Sequence, residues 1–482
     1  MNIQEKLYPF QKEDVEFITQ HPRCINGNVM GLGKTVEAMA VMQKLNTRHN
    51  LIVCNKTMVP EWWYQINTWL GEDCLTPHDD SKYVHRLSGL DLAGPRFVAI
   101  NYDILINSEC AHELHKVKWD VIIFDEAHHL KNPKAKRTQS AFLLTPFVPR
   151  IILMTGTPVQ NSPADLFPLF HIINPSEYNN AYRWNNWFCI YNSEEIWMKD
   201  HQGVPHPRIV RNIIPGATNN EELLNQLLHL HMVRHEKHEI LTQLPPKQYR
   251  IVPVNLGREA TQYKQMEDEY FAILDSGESI YAPKAVAQMT RLRQICLDPN
   301  LLSTKELKTS TPSAKTQTLL NIIEDADDKI VVYTYFEQYA RLLGRELESK
   351  KIPYTSVTGK IKGLDRLRAV KTFQEDPTVK VILCTIGAGG ESITLTSSHT
   401  CVFTDVFWNP SVNEQCEDRL YGRMDKGINQ NRGALIIDLY CQDTVEQHVH
   451  KVVRRKEKMI ERIVMRKVVD SMRESRTGKI NR

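Results

Sequence analysis

Short runs of aliphatic and β-branched residues recur along the chain, each followed by a polar loop and then by apolar positions at helical spacing. The runs are LIVC at 51–54, VIIF at 121–124, IILM at 151–154, KIVVYTY at 329–335, KVILC at 380–384 and ALIID at 434–438. Strands alternating with helical segments are the pattern of parallel βαβ units, so the fold class read from the pattern is α/β. The rhythm breaks between about 162 and 301, where Trp184, Trp187, Trp197 and the pattern NEELLNQLLHLH at 220–231 read as helical. Two α/β blocks therefore flank a helical insertion, with all three tryptophans expected in buried helical core. The segment STKELKTSTPSAK at 303–315 reads as a surface linker before the second block, and a hinge is expected near 233–255.

Length agrees with this division, because 482 residues exceed one hydrophobic core and fit two or three domains. With 41% hydrophobic residues the chain has enough apolar side chains for sizeable cores, which sets disorder aside. No stretch approaches the roughly 18 apolar residues of a membrane span, and the start, MNIQEKLYPF, has no apolar run behind a basic one. An unprocessed intracellular protein, cytoplasmic or nuclear and away from membranes, is expected. The ten cysteines include no Cys-x-x-Cys pair, so neither a disulfide framework nor a zinc site is suggested. A net charge of +3 is too small to mark a nucleic-acid binder, so any phosphate-binding surface must come from local clustering. One cluster is the tail, Lys451 to Arg482, with twelve basic and four acidic residues. Apolar residues at helical spacing, Val445, Val449, Val452, Ile460 and Ile463, lead into and through its first half, which fits a docking helix or a DNA-contacting brace.

The strongest local signal is Met30-Gly31-Leu32-Gly33-Lys34-Thr35, which opens a helix. Gly31 and Gly33 let backbone amides approach phosphate oxygens, Lys34 reaches the outer phosphates and Thr35 offers its hydroxyl to Mg2+. A strict P-loop has glycine where Asn28 stands, and the bland reading is a Gly-rich turn. The second signal is Asp125-Glu126-Ala127-His128 at the end of VIIF. Asp125 can hold magnesium through water, and Glu126 can orient and deprotonate an attacking water. If strand geometry persists, the two carboxylates point to opposite sides. An acidic turn or a metal site is the alternative for the tetrapeptide alone.

Together with these motifs, LYPFQ (7–11), DEAHHLKN (125–132), TGTPVQN (155–161), LRQICLDP (292–299), AGGESITLT (388–396), WNP (408–410) and QCEDR (415–419) resemble, in order, the SWI/SNF-type family of helicase superfamily two. That resemblance implies two RecA-like lobes carrying helical insertions, with ATP and Mg2+ as the nucleotide and metal. It implies lobe one over 1–235 with an insertion at about 175–232, lobe two over 236–470 with an insertion at about 258–301, and a basic tail at 471–482. It assigns Gln11 to the adenine edge and Lys34, Asp125, Glu126 and Arg419 to catalysis. His128, Thr155, Thr157, Gln160, Thr385, Gly389, Gly390, Trp408 and Gln415 are assigned to coupling or to DNA. Lys131, Lys134, Lys136 and Arg137 could touch phosphates or form a solvated loop.

Two departures stand out. Many relatives carry Asp-Glu where Asn28 and Val29 stand. The second arginine of the last motif is expected three residues after Arg419, where Gly422 stands, followed by Arg423. On a helix Arg423 would share a face with Arg419 and serve as second finger; otherwise it pairs with Glu417, Asp418 or Asp425. The implied activity is an ATP-dependent motor on double-stranded or branched DNA that remodels DNA or DNA-bound proteins, acting as a monomer. A strand-separating DNA or RNA helicase and an inactive DNA-binding scaffold are the rival readings.

Overall fold

The computed structural model describes residues 2–76, 96–199, 205–241, 245–269, 271–273, 279–281, 285–303, 311–361, 363–389, 393–421 and 433–465. The chain forms two compact units, Met1–Ile240 with Arg455–Arg482, and Leu241–Arg454. The chain passes from the first unit to the second at 240/241 and returns at 454/455. The helix Val445–Met465 begins in the second unit and contributes Met459, Ile463 and Val464 to the core of the first.

The first unit is built on a seven-stranded sheet whose strands are β1 (Arg23–Asn26), β2 (Asn50–Cys54), β3 (Cys74–Leu75), β4 (Phe97–Asn101), β5 (Val121–Asp125), β6 (Arg150–Met154) and β9 (Met232–Val233). The order is β3-β4-β2-β5-β6-β1-β9, every pairing parallel. Period-two alternation sends β5 side chains to both faces: Ile122 and Phe124 join one core, and Val121 and Ile123 the other. Burying both faces is what a continuous apolar run such as VIIF is suited to.

The second unit holds a six-stranded parallel sheet, with β10 (Gln248–Val254), β13 (Ile330–Thr334), β14 (Tyr354–Val357), β15 (Val381–Thr385), β16 (Thr400–Phe403) and β17 (Leu435–Cys441) in the order β10-β17-β16-β13-β15-β14. Helices flank it over two apolar clusters. The two lobes expected from the α/β pattern are therefore present. All six runs named from the sequence are strands.

Several expectations need correction. The insertion at 175–232 is not wholly helical: helices Ala181–Phe188 and Glu221–His231 bracket an antiparallel hairpin, β7 (Cys189–Lys199) with β8 (Pro205–Thr218). Trp197 lies on β7 rather than on a helix. Trp184 is buried as expected and donates to the Pro163 carbonyl, but Trp187 is 43% exposed beneath the Arg183 guanidinium. The insertion at 258–301 keeps helices Ala260–Glu269 and Ala285–Leu297, with a short hairpin, β11 (Phe271–Ile273) and β12 (Ser279–Tyr281), between them. The region expected to hold an interlobe hinge, 233–255, does contain the division between the units at 240/241, but its second half holds β10, paired along its length with β17. The supposed surface linker ends inside the fold. Ser313 caps the helix Ala314–Asp325, and Lys315 is fully buried, donating to Glu446 and the Thr404 carbonyl. The tail at 471–482 and Gly390, Gly422 and Arg423 lie outside the described residues. All ten cysteines are free and buried. No described helix is long and apolar enough to cross a membrane.

Candidate nucleotide site

In the first unit β1 ends at Asn26 and the chain turns through the glycine loop into the helix Lys34–Lys44. Gly31 (φ +89°) and Gly33 (φ +91°) adopt the left-handed backbone that the loop requires. A Cβ at Gly33 would collide with the Gln11 amide nitrogen. Gln11 is held against the loop: its Nε2 donates to the Leu32 carbonyl at 2.8 Å, and its Oε1 accepts the Tyr8 N–H at 3.1 Å. Lys34 Nζ donates to the carbonyls of Asn28 (2.7 Å) and Val29 (3.3 Å). Burial lowers its pKa, opposed by the charges of Glu126, Asp125 and Glu37. Thr35 is half-buried in the first helical turn. A helix leaves its first amides without intrahelical partners, so this turn together with Lys34 is a cradle for anionic oxygen.

The acidic pair sits at the end of β5. Asp125 Oδ2 accepts the Trp62 indole N–H at 2.9 Å, and its Oδ1 accepts the Glu126 N–H at 3.0 Å. Strand geometry does not persist here. Glu126 has φ +50°, so a left-handed turn, not β alternation, separates the two carboxylates. Glu126 Oε2 lies 3.2 Å from His128 Nδ1, which is also 3.3 Å from Thr155 Oγ1. Burial and the Glu126 charge push Asp125 above the usual carboxylate range. Glu126 is shifted downward: burial opposes ionisation, but the His128 hydrogen bond and charge, with Lys34 and His129, outweigh it. The two opposite shifts favour ionisation of Glu126 over Asp125. The carboxylate of Asp125 and the hydroxyl of Thr35 are hard oxygen donors of the kind Mg2+ takes, so the donor set fits that ion and a polyphosphate.

The TGTP loop packs against this pair. Thr155 N–H donates to Asn26 O at 3.0 Å and Thr157 N–H to Thr155 Oγ1 at 3.2 Å, while Thr157 Oγ1 is buried with no partner among the described residues. Gln160 accepts from Lys131, so that lysine is not simply part of a solvated basic loop. Sequence reasoning missed the residues that bind these loops together. Arg234 donates to the carbonyls of Gly27 and Gly156, both at 2.7 Å, joining the glycine loop to the TGTP loop. Asn28 is fully buried, its amide donating to Asp14 Oδ2 (2.7 Å) and to both Glu37 oxygens (3.2 Å), and its Oδ1 accepting the His235 N–H (2.8 Å). His235 Nε2 reaches Asp14 Oδ1 at 2.9 Å. No local motif marks these groups, which come from distant segments.

In the second unit Thr385 ends β15 and is buried. Gly389 is packed inside its own lobe: a Cβ there would stand 2.7 Å from the Tyr333 ring and 2.9 Å from Cys384, so close packing by itself requires the glycine. Trp408 lies half-buried against the core, and Gln415 is half-buried on the helix Pro410–Glu417. Arg419 is buried in the turn after that helix, its N–H bonded to Cys416 O and its carbonyl accepting from Leu395. Because the helix ends at Glu417, the argument that carried Arg423 onto the face of Arg419 loses its basis.

A sequence model of the SNF2-related domain matches residues 10–301, and one of the helicase conserved C-terminal domain matches 314–424. The chain is 25% identical to the human DNA annealing helicase and endonuclease ZRANB3, over 87% of this chain and 37% of that protein. It is 26% identical to the Drosophila melanogaster SWI/SNF-related matrix-associated actin-dependent regulator of chromatin subfamily A-like protein 1, over 96% of this chain and 56% of that protein. The chain therefore spans about half or less of these relatives' lengths. Among solved structures, the Sulfolobus solfataricus SWI2/SNF2 ATPase core in complex with dsDNA aligns over 96% of this chain and 94% of that one, with 23% identity and a TM-score of 0.43.

Proposed function

Since this chain belongs to the SNF2-related family, we propose that it hydrolyses ATP with Mg2+ to move along double-stranded DNA, remodelling DNA or the proteins bound to it. The observation that carries this reading is the presence in one lobe of a glycine loop with Gly31 and Gly33 at positive φ opening the helix of Lys34, and of the Asp125–Glu126 pair at the end of β5. Lys34 and the first amides of its helix would hold the outer phosphates, and Thr35 and Asp125 the magnesium. Bound magnesium would neutralise charge on the phosphate oxygens. Glu126, ionised and fixed by His128, accepts a proton at its carboxylate from the attacking water. Thr155 and His128 form a hydrogen-bonded path from this base to the TGTP loop, a route by which loop position can follow phosphate state. Arg419 stabilises charge on the transferred phosphate, a task suited to a permanently protonated planar fork.

The test is ATP turnover with matched intact duplex, forked DNA, single-stranded DNA and RNA, joined to strand displacement on forks. Duplex should stimulate most, with little sequence preference and an affinity that falls steeply with salt, since backbone contacts release counterions. Stimulation by RNA above duplex, or affinity unmoved between low and physiological salt, overturns the duplex assignment. Absence of turnover with every ligand leaves only the scaffold reading.

A further inference from the structure

The second unit begins with a clamp that no motif announces. Strand β10 follows the covalent passage from the first unit, and its leading end is tied to the residues on both sides of Arg419. Lys247 Nζ donates to Glu417 Oε2 at 2.8 Å and lies 3.1 Å from Asp418 Oδ1. Tyr249 OH donates to the same Glu417 oxygen at 2.9 Å. On the far side of Arg419, Tyr421 OH donates to the Pro245 carbonyl at 2.6 Å, and its ring lies beneath the Lys247 ammonium at 5.6 Å. Gln248 N–H donates to Ala434 O at 2.8 Å, and a Cβ at Gly433 would stand 3.0 Å from the Pro246 carbonyl, so the entry strand is also fitted tightly against β17. Burial of a lysine beside two carboxylates is costly unless all three are paired, and here they are.

We infer that Lys247 is a positioning residue for hydrolysis, setting through Glu417 and Asp418 the placement of Arg419. The reasoning is geometric. Helix Pro410–Glu417 ends immediately before Arg419, so its backbone is a turn rather than a continuing helix. A turn held at 417, 418 and 421 by one incoming strand takes its position from that strand. The three contacts come from Pro245, Lys247 and Tyr249, in the lead-in and first residues of β10. A displacement of the β10 leading end therefore reaches the arginine-bearing turn through side chains already in contact with it. The inference rests on the reading of Arg419 as a phosphate-facing group, since a clamp on a turn with no chemical role would serve stability alone.

The experiment uses the full chain with ATP and duplex DNA. Lys247→Met keeps the length of the side chain and removes its charge. A displacement of about 1 Å at a catalytic group can cost around a hundredfold, so kcat should fall by roughly ten to a hundredfold while the KM for ATP and duplex affinity change little. Tyr249→Phe, which removes one hydroxyl from a well-exposed residue, should lower kcat less and in the same direction, with the fold intact. Introduced into Arg419→Lys, whose residual turnover is measurable, Lys247→Met should add almost nothing, because the group it positions is already impaired. Normal kcat in both Lys247→Met and Tyr249→Phe overturns the inference. So does a Lys247→Met loss that multiplies in full with that of Arg419→Lys, since that pattern marks general structural damage. If Arg419→Lys and Arg419→Ala turn over normally, the reading of Arg419 fails first, and the clamp inference falls with it.

Discussion

Asn28 stands where many SWI/SNF-type relatives carry aspartate, and its surroundings explain why an aspartate does not suit this chain. Its amide nitrogen fills the space between Asp14 and Glu37, with Asp14 Oδ2 at 2.7 Å and both Glu37 oxygens at 3.2 Å. None of the three residues is more than 1% exposed. In Asn28→Asp a carboxylate oxygen replaces the donor. Burial and the Asp14 charge already push the Glu37 pKa up to about 8, so the repulsion that counts is with Asp14. Two unit charges about 3 Å apart repel by roughly 5 kcal/mol at an effective dielectric of 20. The protein can avoid that by taking up a proton, and keeping a carboxyl with an ordinary value near 4 neutral at pH 7 costs about 4 kcal/mol. The smaller figure sets the ceiling, and a protonated carboxyl recovers one hydrogen bond, so the expected loss is about 2–4 kcal/mol. For a unit the size of the first one that is a fall in Tm of about 4–7 °C.

The companion change is Asp14→Asn, which exchanges donor and acceptor across the same contact. In the double variant the new carboxamide at position 14 would donate to the new carboxylate at position 28. That carboxylate would keep the His235 N–H, and the carboxamide oxygen at position 14 could still accept from His235 Nε2. The swapped pair should recover most of the lost stability, although each single variant is destabilised. Thermal melts of the four proteins at pH 7 form the cycle, and nucleotide titration follows the consequence for Lys34, which donates to the Asn28 carbonyl. At about pH 5.5 Asn28→Asp should regain stability relative to its parent, since proton uptake costs less there. Losses that simply add in the double variant, or an Asn28→Asp protein that melts like its parent at pH 7, refute the reasoning.

Other substitutions separate the roles proposed for the site. Lys34→Ala should lose ATP binding, whereas Glu126→Gln should bind ATP and stall, because a carboxamide cannot take the proton; comparable losses of affinity by titration in both count against the division. Arg419→Ala should keep ATP and DNA binding and lose roughly a thousandfold or more in turnover; near-normal DNA-stimulated turnover in Arg423→Ala removes Arg423 as second finger and leaves Arg419 standing. The hydrogen bond from His235 to Asp14 raises the histidine pKa, against partial desolvation. A raised folded value means stability that is complete below about pH 6.5, the unfolded value, and lost as pH rises through the folded one. The Tm difference between the parent and His235→Gln should therefore be largest near pH 6 and shrink toward pH 9; a difference that grows with pH contradicts the ion pair.

The six apolar runs named from the sequence were legible because burial on both faces dictates their composition, although β4 (FVAIN) and β16 (TCVF), equally buried, were passed over. Strands β1, β9 and β10 were not legible. RCIN and MV are too short to show a period, and β10, QYRIVPV, is an edge strand with Tyr249 63% exposed, so its pattern reflects one covered side only. The hairpin β7–β8 was missed because NSEEIWMK and PRIVRN mix charges into both faces, leaving neither alternation nor helical spacing to read. The nucleotide site was legible to the extent that its chemistry is contiguous in sequence, in GLGKT and DEAH. Trp62, Asp14 and Arg234 enter from elsewhere as single residues of common types, and only tertiary packing gives them meaning.

The left-handed turn at Glu126 shows why contiguous chemistry still needs the fold. A non-glycine residue at φ +50° costs on the order of 1–2 kcal/mol, and such strain persists only where surrounding contacts over-determine it. Here they do. Tyr102 OH donates to the Asp125 carbonyl at 2.8 Å, Trp62 and the Glu126 N–H hold the two Asp125 oxygens, and His128 holds Glu126. Had β geometry continued, the two carboxylates would still diverge, but Glu126 would follow the pleat instead of meeting His128, whose Nδ1 lies 3.3 Å from Thr155 Oγ1. The turn gives the ionised carboxylate a partner that also touches the TGTP loop, so the base and the loop proposed to respond to phosphate share one histidine. Removing that histidine should therefore disturb both the proton acceptor and its link to the loop, which a strand-borne glutamate could not have joined.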